Sequence, residues 1–300
     1  MRLVRTLSVT IICLGIVCPM AVAGSACRYN ARDFQSTLHC AEQQNPQAQK
    51  ELGDKYLHGE GVAQSTAAAI RWYQQSAKAG YVPAQYTLGY LYQRGLGVRK
   101  SDHDAMIWYH QAAQAGNTDA QYNLGTLLLT TKEISKMPTQ AFSLYQLAAK
   151  AGDADAANNL AYLHELGIGT QRDLQAAQEY YEMAARKNHE QGQYNMGRLL
   201  LGMQPVQLKE AQYWLEKSAK QGFAPAMALL GQSHYQAETP HYQNAYYWLS
   251  VASAFGSKNG KTGLLLVEKH LTPAQIQSIQ NEVLRFKPIN TSTTRRRPRY

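Results

Sequence analysis

Apolar residues recur at i, i+3, i+4 and i+7 in two kinds of segment that alternate along most of the chain. That spacing predicts amphipathic helices, each with one face to bury. The first kind opens Ala48-Gln-Lys-Glu-Leu52-Gly53 and returns from Ala84, Ala120, Ala156, Gly192 and Ala226. The starts are 36 residues apart four times and then 34. The second kind follows at a fixed offset, as in Ala69-Ile-Arg-Trp72-Tyr73 and Ala105-Met-Ile-Trp108-Tyr109, and again from Ala141, Ala177, Ala211 and Ala245. Self-similarity at one fixed period is the mark of a repeat architecture. The pattern predicts six helix pairs, each a helix A followed by a helix B.

The small residues say how the pairs pack. Gly53, Gly89, Gly125 and Gly197 sit inside helix A, where glycine costs about 1 kcal/mol against alanine. A cost repeated at one offset predicts close approach of the neighbouring helix, with the large aromatics of helix B filling the space around it. Gly80, Gly116, Gly152, Gly222 and Gly256 lie just past helix B and suit the left-handed closure of a helix, and Asn188 takes that place in the fourth pair. Gly59-Glu-Gly61-Val62, Gly95-Leu-Gly97-Val98 and Gly167-Ile-Gly169 make the turns between A and B. Each such Gly-x-Gly follows a helix rather than a strand and recurs with the pair, so it is not a nucleotide loop.

Ala-x-x-x-Leu-Gly-x-x-Tyr, then Gly-x-Gly-Val, then Ala-x-x-Trp-Tyr-x-x-Ala-Ala-x-x-Gly resembles the Sel-one-like repeat, a relative of the tetratricopeptide repeat. The second copy carries nearly every position, from Ala84, Leu88, Gly89 and Tyr92 to Trp108, Tyr109, Ala113 and Gly116. The resemblance covers residues 48–256. It implies an all-α, right-handed α-solenoid of antiparallel helix pairs, a tetratricopeptide-like superhelix with helix A on the concave face. The third copy departs from it by lacking turn glycines between Thr130 and Met137, and the fifth and sixth by turns two residues shorter.

The ends differ from the array. Arg2 and Arg5, the apolar run Leu7 to Val17 and Ala21-Val22-Ala23 read as a secretory signal, residues 1–23. An uncleaved anchor and a lipoprotein signal ending at Cys27 are the alternatives. Export places the chain in the periplasm or outside the cell. Cleavage would leave Cys27 and Cys40, two thiols expected to pair in an oxidising compartment. A reactive thiol beside His39 is the other reading. Residues 24–47 are expected to form an N-terminal cap with one helix over Asp33 to Gln44. Residues 257–288 are expected to form a half-repeat and cap, closed by a helix that starts at Thr272-Pro273-Ala274-Gln275. Solenoid ends need polar-faced elements. Residues 289–300, INTSTTRRRPRY, have no periodicity and are expected to be a disordered basic tail.

Charge changes less than it first suggests. The 300 residues carry 30 Lys and Arg against 21 Asp and Glu, a net +9. Removing Arg2, Arg5 and the four tail arginines leaves +3, so the helices carry no basic stripe for nucleic acid. Arg295 to Arg299 could make weak contact with an anionic surface. Of 20 Tyr, 18 fall between residues 48 and 256 and belong to the repeat.

Candidate chemistry is sparse. His164-Glu165 has no second His four residues on, the other His are scattered, and no phosphate loop or Gly-x-Ser-x-Gly occurs. No metal site, cofactor or catalytic residue is expected. Cysteine-rich relatives linked to β-lactam binding carry Cys pairs in successive repeats, and this chain has none after Cys40. The residues expected to meet a partner are those on the implied concave face off the Leu–Tyr stripe: Tyr86, Tyr90, Tyr122, Asn123, Asn158, Asn159, Tyr162, Tyr194 and Asn195, with Arg94, Glu165 and Arg198 to read charge. Tyr offers amphipathic contact area and Asn amides pair with peptide backbone. An Asn123–Asn159–Asn195 ladder could track an extended peptide, or these residues could only pack and solubilise. The expected function is an exported scaffold for a protein or peptide partner. A secreted effector is the alternative, and a cell-wall or β-lactam-active enzyme a weaker one.

Overall fold

Fifteen α-helices and one 3-10 turn, with no strand, make up residues 27–131 and 137–289, the residues described by the computed structural model. The expected secretory signal at 1–23, the first residues of the expected N-terminal cap (24–26), part of the third turn (132–136) and the expected basic tail from 290 lie outside the described residues. Two compact units are present, one ending at Trp72 and one beginning at Tyr73.

In the first unit α1 (Phe34–Glu42) and α2 (Pro46–His58) pack as a pair, and α3 (Thr66–Lys78) begins. Asp33 caps α1 by accepting from the Ser36 N–H at 2.7 Å, and Asn45 caps α2 by accepting from Ala48 at 3.0 Å. The core is Cys40, Ala41, Ala48 and Leu52, with Phe34, Leu38, Tyr56 and Trp72 around it. Cys27 and Cys40 are joined in a disulfide that ties the segment before α1 to the helix itself. The expected cap helix is present, two residues shorter at its C-terminal end than the Asp33 to Gln44 span.

The second unit is a run of antiparallel pairs in chain order. They are α4 (Val82–Arg94) with α5 (Asp102–Gln114), α6 (Thr118–Thr130) with α7 (Pro138–Lys150), and α8 (Ala154–Leu166) with α9 (Leu174–Arg186). Then come α10 (Glu190–Leu201) with α11 (Leu208–Lys220) and α12 (Ala224–Tyr235) with α13 (Tyr242–Ala254). Each helix packs on the next, the arrangement of an all-α solenoid. The helix A glycines are contact points as expected. A Cβ at Gly89 would lie 2.6 Å from the Tyr109 ring, and one at Gly197 2.6 Å from Leu215. The pairs also close as expected. Gly116 has φ of 85° and Asn188, in the same role, 61°.

One recurring residue has a role that periodicity does not reveal. The glycine-rich motif begins Ala-Gln, and the Gln is buried. Gln85, Gln121 and Gln193 each donate to a main-chain carbonyl at the end of the preceding helix B (Ala77, Ala113 and Ala185), at 3.1–3.3 Å. Each is a second bond to its carbonyl, which also accepts the N–H of Gly80, Gly116 or Asn188, so the glutamine adds a side-chain tie between one pair and the next. Ala157 replaces the Gln in the fourth pair and Met227 in the sixth.

The C-terminal elements are α14 (Lys258–Val267), the 3-10 turn Glu268–His270 and α15 (Pro273–Val283). Thr272 and Gln275 form the expected reciprocal cap. Both α14 and α15 pack on α13. Two expectations change here. Ile289, placed in the loose tail by its lack of pattern, donates its N–H to the Lys220 carbonyl at 2.7 Å, while Phe286 packs on Trp248 and Phe255. The end is also not uniformly polar, because Leu265 is 72% and Leu266 49% exposed beside the exposed Lys258 and Lys261.

Candidate functional site

The face of the helix A row in the second unit is built by hydroxyls that reach it from helix B. Tyr109, Tyr145 and Tyr181 occupy one position in successive B helices and are buried. Tyr109 donates its hydroxyl to Gln93 Oε1 at 2.9 Å, and Tyr181 donates to Glu165 Oε2 at 2.9 Å. Gln93 and Glu165 stand at the same offset of helix A, where Leu129 and Leu201 stand in the other pairs. Tyr145 has no polar group at that offset and meets Thr126 Oγ1 at 3.0 Å instead. In the fifth pair both members are apolar, Leu201 and Leu215. The B-helix tyrosines are the residues that pattern reading missed. The signal for them was there: a polar residue at an otherwise apolar offset, paired with a Tyr sixteen residues on.

Burial raises the pKa of Tyr109, with smaller contributions from Tyr86 and Tyr90, and also raises those of Tyr145 and Tyr181. Tyr122 is pushed up to about 12 by burial and by the Asp155 charge. These phenols stay protonated and act as hydrogen-bond groups, not bases. Tyr86 and Tyr122 lean on Tyr109 and Tyr145 with ring centroids 5.8 Å apart in each case.

The charged part of the face is one cluster. Arg198 of α10 donates through Nη2 to Glu165 Oε2 of α8 at 2.5 Å, and Tyr181 of α9 donates to the same oxygen. Burial pushes the Glu165 carboxyl up, but hydrogen bonds from Arg198 and Tyr181, with the charges of Arg198 and Arg172, outweigh it and hold the group below its usual range. The bond to Glu165 in turn raises Arg198.

The predicted partner-binding residues divide into two groups. Tyr162 is 49% exposed, Arg94 is exposed with its guanidinium 5.7 Å from the Tyr90 ring, and Tyr86, Tyr90, Tyr122 and Tyr194 are half-buried. The asparagines are engaged within the fold. Asn195 donates to Asn158 Oδ1 at 2.8 Å and both are buried. Asn158 donates to Asn159 at 3.4 Å, Asn159 reaches the hydroxyls of Tyr122 and Tyr145, and Asn123 reaches that of Tyr109. Residues spaced by 36 thus do not share the same partners: Asn195 bonds to Asn158, while Asn123 and Asn159 reach tyrosine hydroxyls.

Two open clefts lie in this unit. One of about 460 Å³ brings Arg94, Lys100, Asp102, Thr130 and Thr131 together. One of about 290 Å³ has His270 stacked on Tyr242 at 4.2 Å. Among the described residues no group of three or more His, Cys, Asp or Glu is placed to hold a metal ion, and no helix is long and apolar enough to cross a membrane. The helix A face thus brings together aromatic rings, phenol hydroxyls and two arginines.

The family model for the Sel1 repeat matches residues 46–81, 82–117, 118–153, 154–189, 191–223 and 224–254. The chain belongs to the Sel1 repeat family. Sel1 repeat proteins generally serve as scaffolds for protein–protein interaction. Among solved structures, this Sel1 repeat chain is 30% identical to a protective antigen present in uropathogenic Escherichia coli strains and displaying an SLR fold, with a TM-score of 0.73 over 87% of this chain. It spans 58% of that protein's length. It is 28% identical to a Sel1 repeat protein from Oxalobacter formigenes, with a TM-score of 0.59, covering 75% of this chain and 99% of that one. No curated protein matches the chain.

Proposed function

We propose that the protein is an exported scaffold that binds an extended peptide, or a segment of a protein partner, on the helix A face of its Sel1 repeats. The observation that carries this reading is the row of half-buried tyrosines with the exposed Tyr162 and with arginines at two points, Tyr162 and Arg198 toward one end and Tyr90 and Arg94 toward the other. Rigid aromatic and arginine side chains are the residues that dominate interface energetics. Asn159 precedes Tyr162 by three residues and is half-buried, with its amide also reaching the Tyr122 and Tyr145 hydroxyls. Export is supported by the leader-like residues 1–23 and by the Cys27–Cys40 disulfide. A bonded Cys27 has no free sulfur for a thioether-linked lipid, which favours a cleaved signal over a lipoprotein signal.

A second reading, a secreted effector with a host protein in the groove, draws on the likeness to the uropathogenic antigen. An enzyme is the weaker reading, since Tyr181, Glu165 and Arg198 satisfy one another.

The test is peptide selection from a displayed library on the purified full chain, followed by titration. Asn159→Ala with Tyr162→Ala should weaken the selected peptides about tenfold and leave the chain folded, with a modest drop in the thermal transition because Asn159 reaches the Tyr122 and Tyr145 hydroxyls. Met183→Ala on an exposed helix B position should change neither. Unaltered binding by the Asn159/Tyr162 variant sinks the groove reading.

A further inference from the structure

One helix position repeats through the array. The fifth residue after each helix A start is small and receives the following helix B: Gly89 against Tyr109, Gly125 against Tyr145, Gly197 against Leu215 and Gly231 against Leu249. The next position in the series, 34 residues after Gly231, is Leu265 in α14. Nothing among the described residues covers it, because α15 packs on α13 instead. A leucine there also blocks the close approach a helix B makes elsewhere. The face that should continue the array is therefore apolar, bulky and open.

The same face is cationic. Lys258, Lys261 and Leu265 follow at intervals of three and four, so they share one side of α14, Lys269 follows in the 3-10 turn Glu268–His270, and all four are exposed. Leu266 lies beside them and Glu268 is the single acid in this stretch. Packing this face on that of a second copy would set lysine against lysine. Apolar side chains ringed by lysines on one helix face suit the headgroup region of a membrane, with the lysine stems along the apolar surface and the ammonium groups at the lipid phosphates. We propose that the outward face of α14 docks this end of the protein on an anionic lipid bilayer, with Leu265 and Leu266 entering the headgroup region and Lys258, Lys261 and Lys269 facing the lipid charge.

The experiment is hydrogen exchange on the full chain with vesicles of phosphatidylcholine alone and of phosphatidylcholine mixed equally with phosphatidylglycerol. The amides of residues 258–269 should exchange more slowly with the mixed vesicles and not with the neutral ones. Leu265→Ser with Leu266→Ser should lose that protection and weaken partitioning about tenfold. Each Lys→Gln change at 258, 261 or 269 should weaken it about fivefold. Vesicle-bound chain with residues 258–269 unprotected, as binding through residues 1–23 or Arg295 to Arg299 alone would give, overturns the proposal. So does equal protection on neutral vesicles, or protection by an acidic protein and by neither vesicle. If a variant fails to fold, the wild-type exchange pattern still decides.

Discussion

Arg198 in α10 donates to Glu165 in α8, 33 positions earlier, across the boundary between two repeats and at 2.5 Å. Because Tyr181 donates to the same carboxylate from α9, three consecutive helices meet at one oxygen atom. The cluster fixes the register of two neighbouring repeats and sets where Arg198 stands on the candidate binding face.

Breaking that cluster should cost stability. The Arg198 side chain is 37% and Glu165 13% exposed, so the full cost of opening a buried ion pair does not apply. Arg198→Ala or Glu165→Gln should lower unfolding free energy by about 1–2 kcal/mol, and the double variant should lose less than the sum. Urea titration checks both. The pH dependence has a definite sign. Glu165 has a folded pKa below its ordinary 4.5, so its contribution is complete above that value and is lost as pH falls through the folded value. In Glu165→Gln the stability curve should be flatter in that acid range.

Gly89→Ala tests the close approach. The added methyl would lie 2.6 Å from the Tyr109 ring. Overpacking of this kind costs about 1–3 kcal/mol, against a gain of about 1 kcal/mol in helix propensity. Net destabilisation is expected by denaturant unfolding. A stabilised variant would mean that α4 and α5 separate easily at this point.

Gln193→Ala should cost about 1 kcal/mol, since it removes a buried hydrogen bond to the Ala185 carbonyl, which keeps the Asn188 N–H as a partner. Gln121→Ala should do the same at Ala113. Changing the exposed Gln191, two residues away, should be neutral. The readout is the thermal transition of each variant beside the wild type.

Reduction of the Cys27–Cys40 bond should act on the first unit. The linked residues are 13 apart, a loop short enough that closure contributes about 3 kcal/mol. Hydrogen exchange of Phe34–Glu42 should accelerate with reductant while that of α8 is unchanged. Equal exchange in both redox states would assign the cap's stability to Cys40, Ala41, Ala48 and Leu52 alone.

The fold was readable because a repeat prints the same local rules many times. Gly89 and Gly197 each named their contacts through position alone, and Asn188 could stand for glycine because both tolerate the left-handed backbone. The site was less legible. Periodicity put Asn123, Asn159 and Asn195 on one face, but not which amide each would find, and Asn195 turned to Asn158. The Tyr109–Gln93 and Tyr181–Glu165 bonds join different helices, so no single helix pattern contains them. At the C-terminal end the expectation of polar capping missed Leu265, because burial there depends on where α15 lies, which its own sequence does not state.

The buried glutamines fasten α5 to α6 and α9 to α10 through main-chain carbonyls. At the step from α7 to α8 the glutamine is replaced by Ala157, and Gly152 O there is met by the exposed Lys187 instead. The step from α11 to α12 lacks the glutamine too, but Ile289 and Pro288 bind across it at Lys220 and Gly222. In an array where each unit touches only its neighbours, the weakest joint sets the yield point. Stretched along its length, this unit should then give first between α7 and α8, the step with neither a buried glutamine nor a C-terminal segment beside it.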